Sequence, residues 1–254
     1  MRFEMHLPSE ILKSYVQAFA IQENANESTY KVLPGTSLVI GFQFKGKLSY
    51  LENGHEIPLE TFGITGLQNS YRIFKNTPET GTVLVFFKEG GAAAFFKNPL
   101  HELFRESVSL DNFMLRSELL LLEERLCEAS TDQKKIGVVE QFLIARMNPG
   151  STDQLVVAAL SIIHKNKGTI RIKDLADQLH ISQSPLEKRF RQAVGASPKK
   201  FASIVRLKNV IEQQREIETL TRLGYEAGYY DQAHFIKEFR TFTGEPPEKY
   251  FKKK

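Results

Sequence analysis

The sequence predicts an α+β chain of two domains: a small N-terminal β-barrel or sandwich with flanking helices, then an all-α domain in which a linker helix joins two helix-turn-helix units. Three observations carry this. Between Tyr30 and about Phe96, short β-prone runs alternate with turn residues; from Asp111 onward apolar residues fall at helical spacing; and the stretch Leu186 to Phe201 recurs 49 positions downstream. At 254 residues the chain exceeds the single-domain norm, which is roughly 100–150 residues. Its 41% hydrophobic and 25% charged residues exclude wholesale disorder and a fibrous repeat. No apolar run approaches the roughly 18 residues of a membrane span.

Ser9 to Phe19 places Ile11, Leu12, Tyr15, Val16 and Phe19 at helical spacing, which predicts a first helix. Strands are expected over Ser37 to Phe44, Lys47 to Leu51 and Val83 to Phe87, with turns at Pro34-Gly35, Asn53-Gly54 and Gly90-Gly91; the spacing suits an antiparallel arrangement. Phe113, Leu115, Leu119, Leu122 and Leu126 then share one helix face, and Ile136, Val139, Phe142 and Leu143 a second. This helical pair closes a domain of residues 1–148. Its Leu119/Leu122/Leu126 face suits either a dimer seam or burial within the domain, and Cys127 reads as a buried small apolar side chain. Asn148-Pro149-Gly150 stops the chain of helices, and Thr152 or Asp153 caps a new helix running to about Lys165, the start of a second domain of residues 152–254.

The internal repeat organises that second domain. Leu186 to Phe201 reads LEKRFRQAVGASPKKF and Phe235 to Tyr250 reads FIKEFRTFTGEPPEKY, so that Lys188 matches Lys237, Phe190 Phe239, Arg191 Arg240, Gly195 Gly244 and Pro198 Pro247. Each copy has the grammar of a helix-turn-helix. In the first, Leu175, Ala176 and Leu179 form the inner face of a short helix, Ile181 plugs the turn, Ser182 or Ser184 caps the next helix, and Leu186, Phe190 and Val194 are its buried stripe. In the second, Leu223 and Gly224 precede a Gly228-Tyr229 turn, and Phe235, Phe239 and Phe242 form the stripe. Pro198 opens a longer helix between them, a rod able to hold two recognition helices, 184–195 and 232–243, at fixed separation in successive major grooves of DNA.

Charge is segregated in the same sense. Residues 1–150 carry 15 Lys+Arg against 18 Asp+Glu, a net of −3, and residues 151–254 carry 19 against 12, a net of +7. That asymmetry points to a polyanion partner for the second half.

Residues from about 155 to 252 resemble the DNA-binding domain of AraC/XylS-family transcription regulators, most closely over Gly228 to Phe239 and Gly244 to Tyr250. Leu12 to Val16 and Val32 to Thr36 are more weakly similar to the β-rich domains that precede it in some members. His180 departs from the family pattern where the first turn commonly has Gly, as does Gly224 where Ala is commoner. The resemblance implies a sequence-specific DNA-binding regulator whose N-terminal domain senses a small molecule or dimerises. By position, Ser184, Glu187 and Lys188 on the first recognition helix and Gln232, His234 and Lys237 on the second are the expected base contacts; Arg189, Arg191, Lys200 and Arg240 are the expected phosphate contacts.

Other chemistry lacks its residues. The six histidines show no HxH or HExxH spacing, Gly90-Gly91 is not followed by Gly-Lys-Ser/Thr, and one cysteine makes neither a disulfide framework nor a cysteine-built metal site. No enzyme activity, cofactor or metal is expected. The start of the chain lacks the pattern of a secretory signal, so the cytoplasm is the expected compartment. Double-stranded DNA is the expected partner, with RNA polymerase, a small-molecule effector and a second copy of the chain compatible with it and a membrane not. The rival reading is a small-molecule-binding or enzymatic β domain with the helical module as an adaptor.

Overall fold

The structure, a computed structural model, describes residues 1–213 and 220–252. Its N-terminal part is built on ten described strands: β1 (Arg2–His6), β2 (Val16–Asn24), β3 (Ser28–Val32), β4 (Val39–Lys45), β5 (Leu48–Glu52), β6 (His55–Pro58), β7 (Phe62–Thr65), β8 (Arg72–Asn76), β9 (Thr80–Phe87) and β10 (Ser107–Ser109). They form two antiparallel sheets, a six-stranded one in the order β1-β2-β9-β4-β7-β10 and a four-stranded one in the order β3-β8-β5-β6. The arrangement is a sandwich rather than a closed barrel. The Asn53-Gly54 pair, both at positive φ, turns β5 into β6, as a two-residue hairpin requires.

The helix expected over Ser9 to Phe19 is not there. Ser9 to Tyr15 makes only tight turns, with Val16 N–H donating to Leu12 C=O at 2.8 Å, and from Val16 the chain enters β2. Strand β2 pairs with β1 on one side and β9 on the other, and most of its residues are buried. Long-range pairing of a strand covered on both faces outweighs a local helical pattern of five apolar residues.

Alternation along β9 divides the large sheet's two faces. Val83, Val85 and Phe87 are buried against the helical pair and neighbouring loops, while Leu84 and Phe86 point into a cavity between the sheets. The helical pair is α1 (Arg116–Glu128) and α2 (Asp132–Ile144). Leu119, Leu122 and Leu126 are buried inside the domain, as are Ile136, Val139, Phe142 and Leu143. Two local expectations fail here. Leu115 precedes the helix and is 69% exposed, and Cys127 is exposed, because the inward stripe of α1 ends at Leu126 and the next residue turns away from it.

Helices fill the rest: α3 (Gln154–Lys165), α4 (Ile172–Gln178), α5 (Gln183–Val194), α6 (Pro198–Gln213), α7 (Leu220–Glu226), α8 (Gln232–Thr243) and α9 (Pro247–Lys252). The largest apolar cluster does not stop at the end of the sandwich. It runs from the sheets and the α1/α2 pair through α3, α4 and α5 to Phe201, Ala202 and Val205 on α6. A second, smaller cluster joins Ile204, Leu207 and Val210 of α6 to Leu223, Tyr229, Phe235, Phe239 and Phe242. Helix α6 therefore gives one face to each cluster and is the rod between them.

Candidate nucleic-acid interface

Each helix-turn-helix is set by its turn and its caps. In the first unit the residue after α4 and its 3-10 turn is His180 at φ 51°, and the matching residue of the second is Gly228 at φ 73°. The histidine thus adopts the left-handed backbone that glycine takes freely, and the turn is preserved at a cost in strain. Ser182 occupies the N-cap of α5 but its side chain accepts no capping bond. Asp231 caps α8, its Oδ1 accepting from His234 N–H at 2.7 Å. Both recognition helices end alike, at Gly195 (φ 92°) and Gly244 (φ 83°), each followed by the proline-initiated next helix. Left-handed glycine caps of this kind satisfy the last carbonyls of a helix, which accounts for the repeated Gly-x-x-Pro.

The buried stripes are as the spacing requires: Leu186, Phe190 and Val194 on α5, and Phe235, Phe239 and Phe242 on α8. One position beside each stripe ties the recognition helix to the long helix before it. Arg189 of α5 forks onto Asp153, the N-cap of α3, with Nε–Oδ2 at 2.7 Å and Nη2–Oδ1 at 2.6 Å. The hydrogen bond from Arg189 holds the Asp153 carboxyl below its usual range. Glu238, the repeat partner of Arg189, accepts from Ser203 Oγ at 2.7 Å and from Arg206 Nη2 at 2.6 Å, both on α6. Burial alone would raise the Glu238 carboxyl, but the Tyr229 and Ser203 hydroxyls and Arg206 together hold it low. The Arg206 guanidinium lies 4.1 Å from the Tyr229 ring centroid, and burial pushes the Tyr229 hydroxyl up.

The residues expected at DNA lie on α5 and α8, except Lys200, which lies in the first turn of α6. Ser184, Glu187 and Lys188 are exposed, and so are Gln232, His234 and Lys237. The His234 ring leans edge-on against Tyr229, with centroids 5.5 Å apart. Arg191, Lys200 and Arg240 are exposed; Arg191 is 3.7 Å from Glu187 one turn back, whereas Arg189 is already committed to Asp153. Tyr230, at 99% exposure immediately before α8, is a candidate that helical spacing did not single out, since it lies in the turn.

The far ends of both recognition helices meet the N-terminal part. At the end of α5, a Cβ on Gly195 would lie 3.2 Å from Leu100 C=O. Beyond α8, Lys31 Nζ donates to Thr243 C=O at 3.0 Å and lies 4.9 Å from the Tyr71 ring centroid, and Leu33 packs on the second apolar cluster. Between the two sheets, opening toward α3, lies a cavity of about 1410 Å³ lined in part by Gln22, Tyr30, Arg72, Leu84 and Phe86. Neither Arg72 nor Lys31 carries a sequence signal beyond its place in an alternating strand.

A helix-turn-helix domain family matches residues 175–253, and a domain of unknown function (DUF6597) matches residues 4–109. An AraC-like transcription regulator of Streptomyces lividans is 30% identical over 105 residues, 41% of this chain and 34% of that one. The chain is also similar to the Msm operon regulatory protein of Streptococcus mutans, 26% identical over 157 residues covering 59% of this chain and 55% of the relative. It thus spans between about a third and just over half of the length of these curated relatives. Among solved structures it is similar to apo ToxT of Vibrio cholerae, with a TM-score of 0.45 and 15% identity over 91% of this chain and 96% of that one. No described helix is long and apolar enough to cross a membrane.

Proposed function

We propose that the chain is a sequence-specific DNA-binding transcription regulator rather than an enzyme, acting in the cytoplasm, with a division of labour between residues 1–148 and 152–254. The recognition helices α5 and α8 enter successive major grooves. Lys188 donates to guanine O6/N7, Glu187 accepts from cytosine N4, and Ser184, Gln232, His234 and Lys237 complete the base contacts. Arg191, Lys200 and Arg240 neutralise phosphates, and Arg189 adds to them only the donors that Asp153 leaves. The N-terminal domain takes a small-molecule effector in the cavity between its sheets.

The observation that carries this reading is the pair of equivalent helices, both ended by a left-handed glycine and braced at one repeat position, whose outer residues are polar and unburied on the basic half of the chain. The test is capture of sheared genomic DNA by the purified protein at two salt concentrations, followed by sequencing. The expected result is a few fragments sharing two short elements about one helical turn apart. Retention of all fragments at low salt and none at moderate salt would mean purely electrostatic binding and would overturn it.

A further inference from the structure

The cavity between the sheets contains one buried full charge. Arg72 is 9% exposed, and its guanidinium lies 4.4 Å from the Tyr50 ring centroid. Nη1 donates to Ser107 Oγ at 2.6 Å and Nη2 donates to Arg105 C=O. No described carboxylate comes within ion-pair distance of it; the acids whose field it feels, Glu52 and Glu106, are both exposed. A guanidinium has five N–H donors in a planar fork, and these two bonds use one N–H on each terminal nitrogen. Burial accordingly disfavours its charged form.

Several charges nearer the mouth are already answered: Glu89 Oε2 meets His164 Nε2 at 2.7 Å, Asp153 is held by Arg189, and Lys31 by Thr243 C=O. Glu60 and Lys88 also line the cavity and are exposed, and Lys208 is half-buried. The inner wall is otherwise neutral: Gln22 Nε2 donates to Tyr30 Oη at 2.7 Å, and Gln43 Nε2 to Glu60 C=O at 2.8 Å. Val39, Leu48, Phe74, Leu84 and Phe86 supply the apolar surface.

We propose that this cavity binds a small amphipathic organic acid, its single anionic group on the Arg72 fork and its apolar body along Leu84, Phe86 and Phe74. The inference rests on reading the N-terminal domain as an effector domain and narrows the effector to a chemical class. A carboxylate or sulfonate suits the planar fork. A neutral ligand would leave the buried charge unanswered, and a polyanion would find no second buried cation among the described lining residues.

The test uses two fluorescent probes with one ring system, the anion 1-anilinonaphthalene-8-sulfonate and neutral N-phenyl-1-naphthylamine, titrated into the full chain. The anion should bind about ten- to a hundredfold more tightly, the range a hydrogen bond to a charged group is worth. Arg72→Gln should abolish that preference while leaving the neutral probe within about threefold, and Leu84→Trp, which crowds the apolar wall, should weaken both. Equal affinity of the wild-type chain for the two probes overturns the inference, as does unchanged binding of both by Leu84→Trp or a preference for the anion that survives in a folded Arg72→Gln variant. If Arg72→Gln does not fold by circular dichroism, the wild-type preference and the weaker binding of both probes to Leu84→Trp still decide. Absence of binding by either probe instead sinks the effector-domain reading itself.

Discussion

The two helix-turn-helix units share a sequence pattern and differ in what they are embedded in. The first lies inside the main apolar cluster, continuous with the N-terminal sandwich; the second has a compact aromatic core of its own and reaches the rest of the molecule through α6, Leu33 and Lys31. Their braces sit at one repeat position with the charges exchanged: an arginine on α5 grips an aspartate of α3, and a glutamate on α8 is gripped by an arginine of α6. The duplication therefore preserved the geometry of the brace and not its polarity. In both units the charge at this position meets a neighbouring helix, and an acid there in the second unit could not serve a phosphate.

The largest expected effects test the difference in embedding. Phe190→Ala and Phe239→Ala each remove a fully buried ring, a loss of roughly 3–5 kcal/mol. The first should lower the unfolding midpoint of the sandwich as well, and the second should melt its own unit early as a separate transition. Urea unfolding followed by hydrogen exchange reads both, and one common transition in the two variants would refute the distinction. Glu238→Ala strips Arg206 of its partner and should cost about 2–3 kcal/mol, confined to the second unit. Lys188→Ala and Lys237→Ala should each cost roughly 1–3 kcal/mol of DNA binding and relax preference at one base pair. Uniform weakening over all sequences in a competition assay would reassign them to phosphates.

Smaller effects probe the turn and the junction. His180→Gly relieves a left-handed side chain and should stabilise the first unit by about 1 kcal/mol, visible as a rise in Tm that Gly228→Ala reverses in the second. Glu89 raises the proton affinity of His164, so their pairing stabilises the fold below the ordinary histidine range and is lost as pH rises through the raised value. Glu89→Gln should therefore destabilise more at pH 6 than at pH 9, by about 0.5 kcal/mol or less because the histidine is nearly half exposed. An equal effect at both pH values would show that the contact is not electrostatic.

What could be read in the sequence was local. Caps, turns and stripes depend on residues within a few positions, so Asp153, Gly195, Gly244 and both phenylalanine stripes were legible, as was the tandem repeat. Strand β2 was not, because its partners β1 and β9 are what make it a strand. Arg72 shares a face of β8 with Phe74, yet that parity means little until a second sheet closes over it. The clamp between Arg206 and Glu238 joins residues 32 apart in sequence and was invisible for the same reason. Cys127 was misplaced by a single step around the helix.

The seating of both recognition helices by their C-terminal ends makes each of them a lever. A helix of twelve residues is about 18 Å long, so a tilt of 5° about a seated end carries the opposite tip by roughly 1.6 Å, beyond what a hydrogen bond to a base edge tolerates. The surfaces formed by Leu100 and by Lys31 with Tyr71 are in that sense fulcrums. A displacement there too small to disturb the packing would be magnified at the opposite ends, the ones proposed to read the groove.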